Sequence, residues 1–96
     1  MTDITLEQKL NLETARIGWD ELARVFARGD LLVLDAGQDL VAVAASMSRN
    51  ETETVSRLLD AGQLRQADDA DAREWQKDNT QFWAVVVAPW VVVQQS

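Results

Sequence analysis

At 96 residues, with 47% hydrophobic and 26% charged side chains, the chain has room for one globular domain, 1–96, and one core. The absence of cysteine and histidine excludes a disulfide framework and a thiolate metal site, and removes the commonest general base and metal ligand. A net charge of −7 favours solubility and argues against binding to nucleic acid or to an anionic membrane.

Thr5 with Gln8 fits a capping box that opens a first helix, and the spacing of Leu6, Leu10 and Ile17 extends its apolar face to Ile17. Leu12 and Ala15 lie off that face, so this helix is either buried on two sides or meets another chain. After Gly18, the stripe Trp19, Leu22, Ala23 and Phe26 predicts a second helix. Asp20 and Glu21 stand at its start, Arg28 near its end, and Gly29 is its stop. Leu31–Asp35 does not alternate and reads as a short strand covered on both faces.

Asp39 is the N-cap of a third helix with Leu40, Val43, Ala44 and Met47 on one stripe and Val41 and Ala45 on another. Asn50 with Glu53 predicts a capped fourth helix, inward-facing at Val55, Leu58 and Leu59 and ended by Gly62. Gln63–Ala67 reads as a polar edge strand. Asp68 and Asp69 cap a fifth helix whose Ala72 and Trp75 face inward. In Phe82–Val93 the even and odd positions are both apolar, which predicts one long strand covered on both faces, by helices or by a second subunit. Pro89 marks an edge, bulge or break in it.

The fold class expected is α+β: about five helices with a small three-stranded sheet in winged-helix-like element order. The terminal strand is expected at the centre, between Leu31–Asp35 and Gln63–Ala67. Asp39–Leu64 has the shape of a helix-turn-helix, whose second helix enters the major groove in nucleic-acid-binding regulators. Here that helix carries Glu51, Glu53 and Asp60 against Arg57, and the region after it carries acidic residues where a basic wing belongs.

Asp68, Asp69, Asp71 and Glu74 form the densest acidic cluster. The spacing lacks the glycine and ordered ligand positions of a calcium loop, and helix capping explains the same residues. Ser46, Ser48 and Ser56 have no histidine to activate them, and no glycine-rich phosphate loop is present. No catalytic residue, cofactor-binding residue or metal ligand is therefore assigned, and no cofactor is expected.

The expectation is a non-enzymatic protein-interaction or regulatory module, with a nucleic-acid-binding regulator as the alternative. Its candidate interface is Leu12, Trp83, Pro89 and Trp90, and its expected partner is a second copy of the chain in a homodimer. Met1–Leu10 lacks the basic and apolar regions of a signal peptide, and Phe82–Val93 is too short to span a bilayer, which makes the cytoplasm the default location.

The stretches NLETARIGW (Asn11–Trp19) and FWAVVVAPWVVVQ (Phe82–Gln94), with Asp39–Ala45 between them, resemble a family of short bacterial proteins, domain of unknown function 2288. Ala88-Pro89-Trp90 is the most specific part. The resemblance runs nearly full length, implies a bacterial cytoplasmic protein, and supplies no catalytic residues.

Overall fold

The computed structural model describes residues 5–95; the start of the Met1–Leu10 segment read for signal-peptide features lies outside them. The elements are α1 (Leu6–Glu13), β1 (Ala15–Gly18), α2 (Trp19–Arg28), β2 (Leu31–Leu34), α3 (Leu40–Ser48), α4 (Thr52–Asp60), β3 (Leu64–Gln66), α5 (Asp69–Asp78), β4 (Gln81–Val87) and β5 (Trp90–Gln95). They form an α+β fold with a single mixed sheet in the order β1-β4-β5-β2-β3. β5 pairs parallel with β2; the other neighbours are antiparallel.

Helices cover the sheet on both faces, so side chains that alternate along a strand enter two separate cores. Leu32, Leu34, Val85 and Val92 pack with α1, α3 and α4. Leu31, Val33, Phe82, Ala84, Val91 and Val93 pack with α2 and α5. This explains the unbroken apolar run of β2, where all four residues are buried. The second core is centred on aromatic rings. Trp75 stands edge-on to Phe82 with centroids 5.0 Å apart and tilted to Trp19 at 5.8 Å; Trp19 in turn meets Phe26 at 5.6 Å.

Several helix ends form as their residues dictate. The Thr5 hydroxyl accepts from the Gln8 backbone N–H, and the Gln8 side chain accepts from Thr5 N–H. Asp39 caps α3 through Ala42 N–H, and Asp68 with Asp71 forms a capping box on α5. Gly29 ends α2 at φ 80, a backbone region that costs glycine nothing.

The structure corrects the sequence reading in four places. The first helix stops at Glu13, where the Thr14 hydroxyl donates to Leu10 O at 2.7 Å. Ile17 belongs to β1, opposite Phe82, and packs in the second core rather than with Leu6 and Leu10. Asn50 does not cap α4; it takes the left-handed conformation in the turn after α3, and Glu51 is the N-cap without a side-chain bond. The terminal segment is two strands, a hairpin turning at Ala88-Pro89, whose peptide bond is cis. The sheet therefore has five strands instead of three, and β5 lies between β4 and β2, with β3 beyond β2. α3 and α4 are joined by a short turn, as expected, but the second helical layer and the β1–β4 edge lend winged-helix order no support.

Trp75→Ala should lower the unfolding free energy by about 3–5 kcal/mol in urea titration, the usual cost of truncating a buried aromatic. Trp83→Ala, at a part-exposed position of the neighbouring strand, should cost less than about half of that.

Candidate interaction surface

Five large apolar side chains remain exposed among the described residues: Leu12 (76%), Val86 (62%), Leu59 (48%), Trp83 (44%) and Trp90 (36%). Strand alternation assigns them to faces. Trp83 points to the same side as Val85, and Trp90 to the same side as Val92, so both indoles lie on the face covered by α1, α3 and α4. Leu12 and Leu59 sit on α1 and α4 of that layer. Val86 is in phase with Phe82 and Ala84, on the opposite face.

The two tryptophans stand at opposite ends of the hairpin. Trp90 pairs with Val87 beside the turn, and Trp83 pairs with Gln94 at the open end. Trp90 and Pro89 line a groove of about 330 Å³ against Met47, Val55 and the α3–α4 turn, with Glu51, Thr52 and Ser56 on its rim. Its position follows from local chemistry: Asn50 at φ 59 reverses the chain after α3, and Pro89, having no N–H, ends the β4–β5 ladder opposite that turn. Trp83 lines a second depression, about 380 Å³, with Asn11 and Thr14 from the end of α1 and Leu40 and Val41 from the start of α3. Gln94 fixes that end by donating from its amide nitrogen to Asp35 O at 2.9 Å and to Gln38 O at 2.6 Å.

Of the four candidate interface residues, Pro89 and Trp90 come together in one groove and Trp83 lies in another. Leu12 is the most exposed of the large apolar residues and borders neither. Leu59, expected to face inward on α4, is exposed instead, and Val86, within the segment expected to be covered on both faces, is exposed too. Leu59 falls on the apolar stripe of α4, yet the sheet ends at short β3 and nothing reaches it. Val86 sits where β1 is too short to accompany β4.

Two members of the acidic cluster, the N-cap Asp68 and Asp71, are tied into the structure. Asp71 receives the Asp68 backbone N–H at 3.0 Å and a two-pronged pair from the Arg65 guanidinium, with Nη2 to Oδ1 at 3.0 Å. The hydrogen bonds from Arg65 hold the Asp71 carboxyl below its ordinary value, against the opposing effect of burial. Among the described residues no group of three or more acidic, histidine or cysteine side chains is placed to hold a metal ion. No helix there is long and apolar enough to cross a membrane.

A mixed sheet clad on both faces by short helices, with a tryptophan-lined depression at each end of a central hairpin, defines a small α+β protein. The sequence matches the family described as protein of unknown function (DUF2288) over residues 5–95, and the chain belongs to that family. It is 44% identical to PA1075 from Pseudomonas aeruginosa, whose solution NMR structure has the same fold. The TM-score is 0.82, covering 99% of this chain and 90% of that one. No curated protein matches the sequence.

A pH prediction follows from the Arg65–Asp71 pair. Because the folded-state value of Asp71 is lowered, its contribution is complete above about pH 4, the unfolded carboxyl value, and is lost as the pH falls through the folded value. Asp71→Asn should melt below the parent near neutrality, and in thermal scans the gap should begin to narrow below about pH 4 and shrink further as the pH falls.

Proposed function

We propose that the protein is a non-enzymatic interaction module that forms a homodimer and docks a protein partner on the layer built by α1, α3 and α4. The observation that carries this reading is the placement of Leu12, Leu59, Trp83 and Trp90 on that one layer. Single exposed hydrophobes are ordinary on soluble proteins. Two half-exposed tryptophans, each in a groove, are not scattered hydrophobes, and tryptophan is enriched at the energetic centres of interfaces. The Trp90 groove has an apolar floor of Met47, Val55 and Val87 with Glu51 at its rim. It suits an apolar side chain flanked by a basic residue. The cysteine-free composition suits a cytoplasmic setting.

The nucleic-acid reading draws no support from charge. α4, the helix that would enter a groove, carries Glu53 and Asp60 against Arg57, with Glu51 at its N-cap. Fluorescence anisotropy should show no binding to duplex DNA at physiological salt. A micromolar dissociation constant that weakens steeply with added salt would reverse this assignment.

The interaction reading is tested in two steps. Sedimentation equilibrium up to high micromolar concentration should give a dimer mass; a monomer mass throughout would refute self-association. Affinity capture from source cells should recover a partner with the parent protein that is lost with Trp90→Ser. Equal recovery by both would remove the groove from the docking surface.

A further inference from the structure

We infer that the second copy attaches along the free half of β4, by antiparallel pairing of Val85–Val87 with the same three residues of the partner, under a two-fold axis that also brings together the outer flanks of the two α1 helices. This deepens the homodimer reading and rests on it.

The edge comes first. β1 pairs with β4 from Gly18↔Gln81 to Ala15↔Ala84 and ends there. β4 continues for three more residues, paired on its inner side with Val92, Val91 and Trp90 of β5. On its outer side Val85–Val87 has no strand partner among the described residues. Natural edge strands are guarded by charges, prolines or bulges, because their unpaired N–H and C=O groups recruit other chains. This half-edge is three consecutive valines, the residue type that best fits a pleated ladder: Val85 is buried in the core, Val87 is part-exposed, and Val86, at its centre, is 62% exposed.

The charges above the edge supply the complementarity. Lys9 and Glu13, one helical turn apart on α1, line the same depression as Val86, Val87 and Ala88. Asn11 lies on the opposite flank of α1, in the groove shared with Leu40 and Val41 of α3. Lys9 and Glu13 therefore mark the flank toward the sheet edge. At 100° per residue, Leu12 stands about 160° from the buried Leu10, on the crest of α1 that points away from the core, which accounts for a leucine left 76% exposed.

A two-fold axis normal to the sheet at Val86 sets Val85 opposite the partner's Val87 and extends one sheet across both copies. It keeps the α1 layers on the same side. The two α1 helices then run antiparallel across the seam, with Lys9 facing the partner's Glu13 twice and Val86 facing its own copy. The surface is thus self-complementary in charge and in apolar area, as a two-fold interface requires. Ala15 sets the register: it occupies the place beside Ala84, so the partner strand is stopped after three pairs. The two-fold uses this half-edge of each copy once, which closes the assembly at two copies.

The test uses mass measurements on full-length variants by sedimentation equilibrium at high micromolar concentration. Val86→Lys places two like charges opposite each other and should be monomeric where the parent is dimeric, while its circular dichroism melt stays close to the parent's. Lys9→Glu should also dissociate the dimer, and adding Glu13→Lys to it should restore the dimer; a merely structural role for either residue would not yield that rescue. Trp90→Ser should remain dimeric. If Val86→Lys is destabilised, the Lys9 and Glu13 charge swap decides alone. A dimeric parent whose mass is unchanged by Val86→Lys and by Lys9→Glu would overturn this seam and leave self-association standing. A parent that is monomeric throughout would overturn both.

Discussion

Everything in this fold is arranged around β5. Its three valines are buried, Val91 and Val93 into the core under α2 and α5 and Val92 into the core under α1, α3 and α4. It is hydrogen-bonded to β4 on one side and β2 on the other. A strand without a polar face needs cover above and below. That requirement divides the helices into two layers, α1, α3 and α4 on one face and α2 and α5 on the other. The aromatic set Trp19, Trp75 and Phe82 and the aliphatic set around Leu40, Val43 and Ala44 are the two answers to the same demand.

Much of this was legible locally. The capping box at Thr5, the cap at Asp39, the stop at Gly29 and the buried character of β2 are decided by residues within a few positions of one another. What was not legible depends on distant partners. β1 is only four residues long, and Ile17 happens to fall at helical spacing from Leu6 and Leu10. It is a strand because Phe82, far along the chain, pairs with it. The hairpin at Ala88-Pro89 was visible as a break but not as a reversal, because the two-residue turn lacks the glycine or asparagine that usually announces one. Asn50 was expected as a cap because its spacing from Glu53 fits; asparagine also tolerates positive φ, and the turn between α3 and α4 used that property.

The surface shows the same division. Leu12, Trp83, Pro89 and Trp90 stood out in the sequence as apolar residues in excess of what one small core could hide, and the structure leaves all four accessible. Which of them belong together was not readable, since that depends on the hairpin register and on the positions of α1 and α3. Val86 escaped notice for a related reason. Alternation along a strand tells which face a residue occupies, but not whether the neighbouring strand is long enough to cover the edge. Within the acidic cluster, in contrast, Asp68 and Asp71 form a capping box and Asp71 an ion pair with Arg65, both within reach of α5 and the strand before it.

The central claim is a sheet covered by helices on both faces, with β4 left unpaired on its outer side beyond Ala84. Amide hydrogen exchange followed by NMR at low and at high micromolar protein concentration tests it most directly. The account predicts that the amides of Val91–Val93 exchange slowest at either concentration. It also predicts that within Val85–Val87 the outward-facing amides exchange fast when dilute and become protected when concentrated. Exchange in Val85–Val87 that is the same at both concentrations, or β5 amides that exchange as fast as those of α1, would contradict it.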